Sequence, residues 1–324
     1  MINFGIGYQG SKSAIAADLI RVIPSGDRFV DVFAGGCAMT HAALLAGRWP
    51  RILANDIVEL PEFFVNAVKG KYSAETRWIS REDFFRLKDS DLYARYVYSF
   101  GNNGKNYLYD VKLEPYKRAC HYAVVFDDWG ELFRLCPEVA ATAKAALKGK
   151  TDRQARRLAF GPAVVRKLRT MDRRVLDANP LYKSVRRSYS KDFKRRETHN
   201  PSSLESLERL ERLERLENVT PVCVDARCGD YRGIDVLPGD VLYCDPPYKG
   251  TAGYNGKSFD HEAFYAWALA QRVPVYISEY DMPADRFMCI WQKSRASRAS
   301  AKGTEGRAVE KLFVPRSSAK MKAK

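Results

Sequence analysis

Apolar and polar positions alternate in two different ways along this chain, and the change between them divides it. Arg28-Phe29-Val30-Asp31-Val32-Phe33 is a short, nearly continuous apolar run, as expected of a strand buried on both faces. Ala34-Gly35-Gly36-Cys37 then reads as a tight turn, and Ala38 to Ala46 as a helix. A second apolar run, Ile52-Leu53-Ala54, ends at Asn55-Asp56. Further strands are predicted at 221–225, 240–244, 273–278 and 309–314. Strand–helix alternation at both ends of the chain predicts an α/β fold with a Rossmann-like parallel sheet. From about Lys71 to Asn218 the alternation stops. The domain organisation expected is an α/β domain from 1–70 and 219–314, with an inserted, mainly helical domain at 71–203. A charged connector helix at 204–218 and a disordered basic tail at 315–324 complete it. The connector follows from Leu204 to Glu217, where Leu-Glu-Arg repeats and the pairs Glu208–Arg212 and Glu211–Arg215 support an exposed helix.

The most informative chemistry follows the strand Val241-Leu242-Tyr243-Cys244. Asp245-Pro246-Pro247-Tyr248 offers a carboxylate, a fixed carbonyl and an aromatic face within four residues. Two prolines fix φ and donate no backbone N–H, so the chain leaves the strand stiffly. Such a group suits methyl transfer to an exocyclic amino nitrogen, whose lone pair is delocalised into its ring. Asp245 and the Pro246 carbonyl can each accept one of the two N–H bonds and localise that lone pair. Positive charge then develops on nitrogen, and a preplaced anion stabilises it more in the transition state than in the ground state. Tyr248 would stack on the ring. In a duplex the base must first be flipped out. As a purely structural alternative, the tetrapeptide is a Pro-rich strand exit whose Asp begins a turn.

A methyl donor needs a second site. The glycines at 35 and 36 let a ligand approach the backbone, and the following helix N-terminus favours a carboxylate. Asp56, at the end of the second predicted strand, is placed to grip ribose hydroxyls. The G-x-G-x-x-G phosphate loop is absent, which favours a nucleoside ligand without phosphates. Asp225, ending the predicted strand at 221–225, could meet the adenine amino group of such a ligand or cap the next turn.

Together these segments resemble the Dam-like DNA N6-adenine methyltransferase family, phage-type members above all. Tyr8-Gln9-Gly10-Ser11-Lys12 is similar to the family's N-terminal cofactor motif, and Asp31-Val32-Phe33-Ala34-Gly35-Gly36 to its Gly-rich motif. Asn55-Asp56-Ile57 resembles its ribose-binding acid, and Tyr243-Cys244-Asp245-Pro246-Pro247-Tyr248 its catalytic motif. Ile277-Ser278-Glu279-Tyr280 and Glu310-Lys311-Leu312-Phe313 are similar to its later strands. The resemblance implies S-adenosylmethionine as cofactor, held by Tyr8, Lys12, Phe33, Gly35, Asp56, Asp225 and Asp245, with Asp245, Pro246 and Tyr248 catalytic. It also implies a methyltransferase sheet carrying an inserted DNA-recognition domain. Cys37 departs from the pattern, since the family usually has Gly there.

Charge and composition bear on the partner. The formal net charge of +15 suits a polyanion, here double-stranded DNA. Cations concentrate from Arg153 to Arg196, and Arg186, Arg187, Arg195 and Arg196 are the phosphate contacts expected within that run. Aromatics interleave with polar groups over 93–109 around Gly101-Asn102-Asn103-Gly104. They read either as stacking faces or as the core of a small helical domain. This loop loosely resembles the family's DNA-intercalating hairpin, which brings forward Asn102, Asn103 and Lys105 as DNA contacts. Because Asn102 stands where many members carry an aromatic, the family's common GATC specificity is not carried over. Seven scattered cysteines suggest a reduced, cytoplasmic setting. No metal-ligand spacing, signal peptide, membrane-length apolar run or obligate protein partner is legible. Cytosine N4, RNA or a protein amide remain alternative acceptors, and a catalytically silent DNA-binding relative is the non-enzyme alternative.

Overall fold

A computed structural model describes residues 4–7, 10–189, 223–248, 259–296 and 307–316. The chain divides into two compact units, Met1–Asn66 with Val219–Lys324, and Ala67–Asn218. The expected connector helix at 204–218 and the tail from 317 onward lie outside the described residues.

Seven strands of the first unit form one sheet: β1 (Arg28–Asp31), β2 (Arg51–Asp56), β3 (Cys223–Cys228), β4 (Asp240–Cys244), β5 (Val275–Glu279), β6 (Phe287–Ala296) and β7 (Arg307–Pro315). Their order across the sheet is β3-β2-β1-β4-β5-β7-β6. The first five run parallel, while β7 inserts antiparallel between β5 and β6. The central strands are the most apolar because they are covered on both faces, and every residue of β4 and β5 is buried. On one face Val30, Val32, Leu242, Cys244, Val275 and Ile277 pack with Phe264, Tyr265, Phe287 and Phe313. Each such side chain contributes about 1.5–3 kcal/mol on burial. On the other face Phe29 packs on Trp49 and Tyr243, with centroids 5.0 and 6.4 Å away. At the amino end of the sheet the Arg28 guanidinium donates to both Asp240 carboxylate oxygens, at 2.9 and 2.6 Å.

The sheet contains one strand that the apolar pattern does not predict. β6 pairs with β7 across a bulge between Cys289 and Trp291, and its outer half, Gln292-Lys293-Ser294-Arg295, is polar. It is an edge strand, with only one neighbour to pair with and no covering that would force a continuous apolar run.

The second unit is helical, from Arg81–Leu87 to Pro180–Tyr189. Asp91, Asp152 and Asp172 each cap a helix by accepting a backbone N–H in the first turn. Of the two readings open for the 93–109 aromatics, core packing describes most of them. Tyr93, Tyr96, Tyr98, Tyr107 and Tyr109 are buried, and Tyr109 stacks on Trp78 with centroids 5.7 Å apart. Phe100 is the exception, at 64% exposure.

Candidate active site

The carboxyl ends of β1, β2 and β4 bring three carboxylates together: Asp31, Asp56 and, one residue past β4, Asp245. Open α/β sheets bind ligands at these ends. The Gly35 turn is built by the second acid. Asp56 Oδ2 accepts from Gly35 N at 2.8 Å and its Oδ1 from Val58 N at 3.2 Å. Burial raises the Asp56 carboxyl despite these bonds. The segment from Phe4 to Gly7 clips onto the turn from the other side. Ile6 N donates to Gly36 O at 2.7 Å, and Gly5 N donates to His41 Nδ1 at 2.9 Å. A Cβ on Gly5 would lie 2.3 Å from Gly36 O, so only glycine allows this approach.

Helix α1 (Ala16–Val22) precedes β1; after the turn, α2 (Ala38–Ala46) starts from Cys37, which is fully buried and left-handed at φ 59°. Such a backbone conformation favours glycine, and here a side chain occupies it. Thr40 of α2 donates to Asp31 Oδ2 through both its N–H (3.0 Å) and its hydroxyl (2.7 Å). Asp31 Oδ1 accepts no hydrogen bond. Burial, with lesser contributions from Asp245 and Asp56, pushes the Asp31 carboxyl up to about 7.

Lys12 completes the cluster. Its ammonium, on a residue only 6% exposed, lies 2.8 Å from each Asp245 oxygen and 4.6 Å from the centroid of the Tyr248 ring. The hydrogen bond goes to Oδ2, and Oδ1 accepts none of good geometry. Burial raises the Asp245 carboxyl, and Lys12 opposes that rise. The Tyr248 hydroxyl donates to Glu310 Oε2 at 3.0 Å, and its ring meets Tyr280 edge-on with centroids 4.5 Å apart. Pro246 is buried next to Asp245.

Of the residues singled out from sequence, Lys12, Gly35, Asp56, Asp245, Pro246 and Tyr248 therefore belong to the carboxyl-end loops of this unit. Phe33 is half-buried just past β1 and packs on Tyr231, Phe259 and Phe264, forming an apolar wall beside the turn. Tyr8 lies outside the described residues. Asp225 does not join the cluster. β3 runs on to Cys228, so Asp225 sits exposed in mid-strand opposite Leu53. The acid just beyond the end of β3 is Asp230, which caps the turn Tyr231–Gly233 and pairs with Arg232. Sequence reasoning also passed over Thr40, His41 and the contact between Glu310 and Tyr248. Only the resemblance of the Glu310 segment to a family strand could have drawn attention to that last pair.

In the helical unit, Ser99 bridges Tyr107 in a small hairpin whose tip carries Gly101, Asn102 and Gly104 at positive φ. Asn102 is 6% exposed and left-handed (φ 55°), a turn-forming role to which Asn is well suited. Asn103 and Lys105 are exposed at the tip. The basic run is divided in its use. Arg153 and Arg156 donate to backbone carbonyls of their own unit, and Arg157 is buried. Arg153 and Arg156 are thus engaged within the unit, and none of the three forms an outward cationic face. Arg186 and Arg187 fall in the helix Pro180–Tyr189, beyond the side chains described, and Arg195 and Arg196 lie outside the described residues.

A mostly parallel sheet in this order, with an acid after β2, a Gly turn after β1 and an Asp-Pro-Pro-Tyr exit from β4, defines a Rossmann-like methyltransferase. Residues 8–268 match the family described as D12 class N6 adenine-specific DNA methyltransferase, and the chain belongs to that family. It is thus an adenine-specific DNA methyltransferase, with DNA as its substrate. No curated protein matches the chain. None of its described helices is long and apolar enough to cross a membrane.

Proposed function

We propose that the protein transfers the methyl group of S-adenosylmethionine to N6 of an adenine flipped out of a short sequence in double-stranded DNA. The observation that carries this reading is the Asp245 carboxylate, desolvated beside Tyr248, whose Oδ1 is ion-paired to Lys12 at 2.8 Å but accepts no hydrogen bond of good geometry. The cluster also fits the cofactor. The Lys12 ammonium pairs with Asp245 alone of the three carboxylates, Asp31 keeps a buried oxygen without a donor, and Gly35 lets a ligand reach the backbone. A cationic ligand would offset the uncompensated negative charge. Lys12, Phe33, Gly35 and Asp56, with Asp31 beneath the turn, are the residues that would hold it.

When bound, the cofactor supplies an electrophilic methyl group. Asp245 and the Pro246 carbonyl would accept the two amino protons and localise the nitrogen lone pair. Tyr248 would hold the base plane in line. As positive charge grows on nitrogen, Asp245 stabilises it, and its burial makes the same carboxylate a competent proton acceptor afterwards. Lys12 keeps the carboxylate ionised before the base arrives. In the helical unit the exposed hairpin tip, with Phe100, Asn103 and Lys105, would meet the disturbed base stack, and the cations toward Arg196 would follow phosphates. All seven cysteines are free, in keeping with action in a reducing cytoplasm.

Asp245→Ala tests the reading. Losing one preorganised electrostatic partner costs about 100- to 1,000-fold in rate. Single-turnover methyl transfer should fall by that factor while DNA binding persists, and a rate within about threefold of wild type would refute the assignment.

A further inference from the structure

We propose that Glu310 is a positioning residue for the acceptor base: it takes the single hydroxyl proton of Tyr248, which fixes the ring and draws that hydroxyl away from Asp245. The inference rests on the reading of Tyr248 and Asp245 given above.

Tyr248 stands four residues beyond β4, where no ladder holds the chain. Its ring is positioned instead by three side chains from distant segments: Lys12 over its face, Tyr280 against it edge-on, and Glu310 at its hydroxyl. Glu310 constrains the far end of the ring, at 3.0 Å. Glu310 is 6% exposed on β7, in register with Lys293 of β6 and one residue before the pairing with β5 begins at Lys311, so its backbone is set by the sheet. Hydrogen bonds to an ionised acceptor are roughly twice as strong as neutral ones.

The proton balance gives this bond a second consequence. A phenol has one proton to donate, and two carboxylates lie near this one. The Tyr248 hydroxyl also helps to lower the Asp245 carboxyl, so Asp245 competes for the same proton. With the proton directed to Glu310, Asp245 Oδ1 is left with no hydrogen bond of good geometry, the Lys12 ammonium lying 2.8 Å from it. Without Glu310 the hydroxyl would turn to Asp245, occupy the acceptor meant for the amino group, and swing the ring out of line.

The test is a double-variant cycle in the full-length protein: wild type, Glu310→Ala, Tyr248→Phe and both together, with Glu310→Gln as the conservative control. Single-turnover methyl transfer to duplex DNA is measured together with the cofactor Kd by calorimetry. Glu310→Ala should slow transfer about tenfold or more, and Glu310→Gln, which keeps an acceptor, should recover to within about threefold of wild type. Tyr248→Phe should be slowed less than Glu310→Ala, having no proton to misdirect, and the double variant should match Tyr248→Phe. Cofactor Kd should stay within about twofold throughout.

Multiplying losses in the double variant, or a Kd that rises in step with the loss of rate, would overturn the proposal. So would a Tyr248→Phe rate equal to wild type, which decides the matter even if Glu310→Ala does not fold. Failure of the underlying function is read separately. A wild type that transfers no methyl, or a Tyr248→Ala variant as active as wild type, contradicts the site assignment itself.

Discussion

Replacing Lys12 with methionine keeps the length and bulk of the side chain and removes only its charge. Lys12 and Asp245 form a buried pair, with side chains 7% and 17% exposed and the ammonium 2.8 Å from the carboxylate. Breaking such a pair by removing one partner typically costs about 3–5 kcal/mol, here roughly 6–20 °C in melting temperature. The cost should depend on pH in a definite direction. The Asp245 carboxyl is already raised by burial, and Lys12 is the group that restrains it. A carboxyl raised on folding contributes stability fully present below its unfolded value near 3.8, and that contribution is lost as pH rises through the folded value. In Lys12→Met the folded value climbs further, so the deficit against wild type should be small at pH 5 and full at pH 8. Urea or thermal unfolding of the ligand-free protein at both pH values measures it. Adding Asp245→Asn should recover most of the loss at pH 8. An equal deficit at pH 5 and pH 8 would show that Lys12 acts by packing, and no deficit at either would show that the pair is not buried in solution.

Three further predictions concern separate parts of the account. Asp56→Ala should raise the S-adenosylmethionine Kd more than it slows transfer at saturation, because a ribose contact is made equally before and during the transition state; an unchanged calorimetric Kd would remove Asp56 from the site. Asp31, raised to about 7, should make the ligand-free protein lose stability as pH rises from about 4 through 7, by a contribution of order 4 kcal/mol that Asp31→Asn removes. His41, held neutral and lowered to about 4 by burial, acts in the opposite direction, its contribution being lost as pH falls from 6.5 through about 4. The Asp31 effect must therefore be read as the difference between variant and wild type. Neutralising Arg186, Arg187, Arg195 and Arg196 together should flatten the salt dependence of DNA binding, by about 0.9 in log–log slope per lost phosphate contact. An unchanged slope would mean that other cations follow the backbone.

The sheet was legible where burial on both faces imposes an apolar run. β1, β2, β4 and β5 could be placed within a few residues, and α2 within its ends. β6 was not, because a bulged edge strand with a polar outer half carries no such run. Asp225 shows how a boundary error propagates into a site. The predicted strand stopped three residues early, which transferred an end-of-strand role to a mid-strand residue. Tyr93 to Tyr109 could be read as surface or core because aromatic spacing alone does not say which side is covered. Arg153, Arg156 and Arg157 looked like a phosphate track, since a charge run reveals neither the carbonyls that Arg153 and Arg156 meet inside the unit nor the burial of Arg157. The residues proposed to do the chemistry were the most legible of all. Asp245 to Tyr248 are contiguous, and their role follows from local bonding. The role proposed for Glu310 spans 62 positions of chain and depends on β7 bringing it to Tyr248, which no local pattern reveals.

The central claim is that a flipped adenine accepts the methyl group. The most direct measurement incubates the purified protein with methyl-labelled S-adenosylmethionine and duplex DNA, digests the DNA completely, and identifies the labelled nucleoside by mass spectrometry. The account predicts label in N6-methyladenine alone, confined to one short sequence, and lost in Asp245→Ala. Label in N4-methylcytosine would keep the mechanism and overturn the base, whereas label found only in RNA or protein would contradict the account.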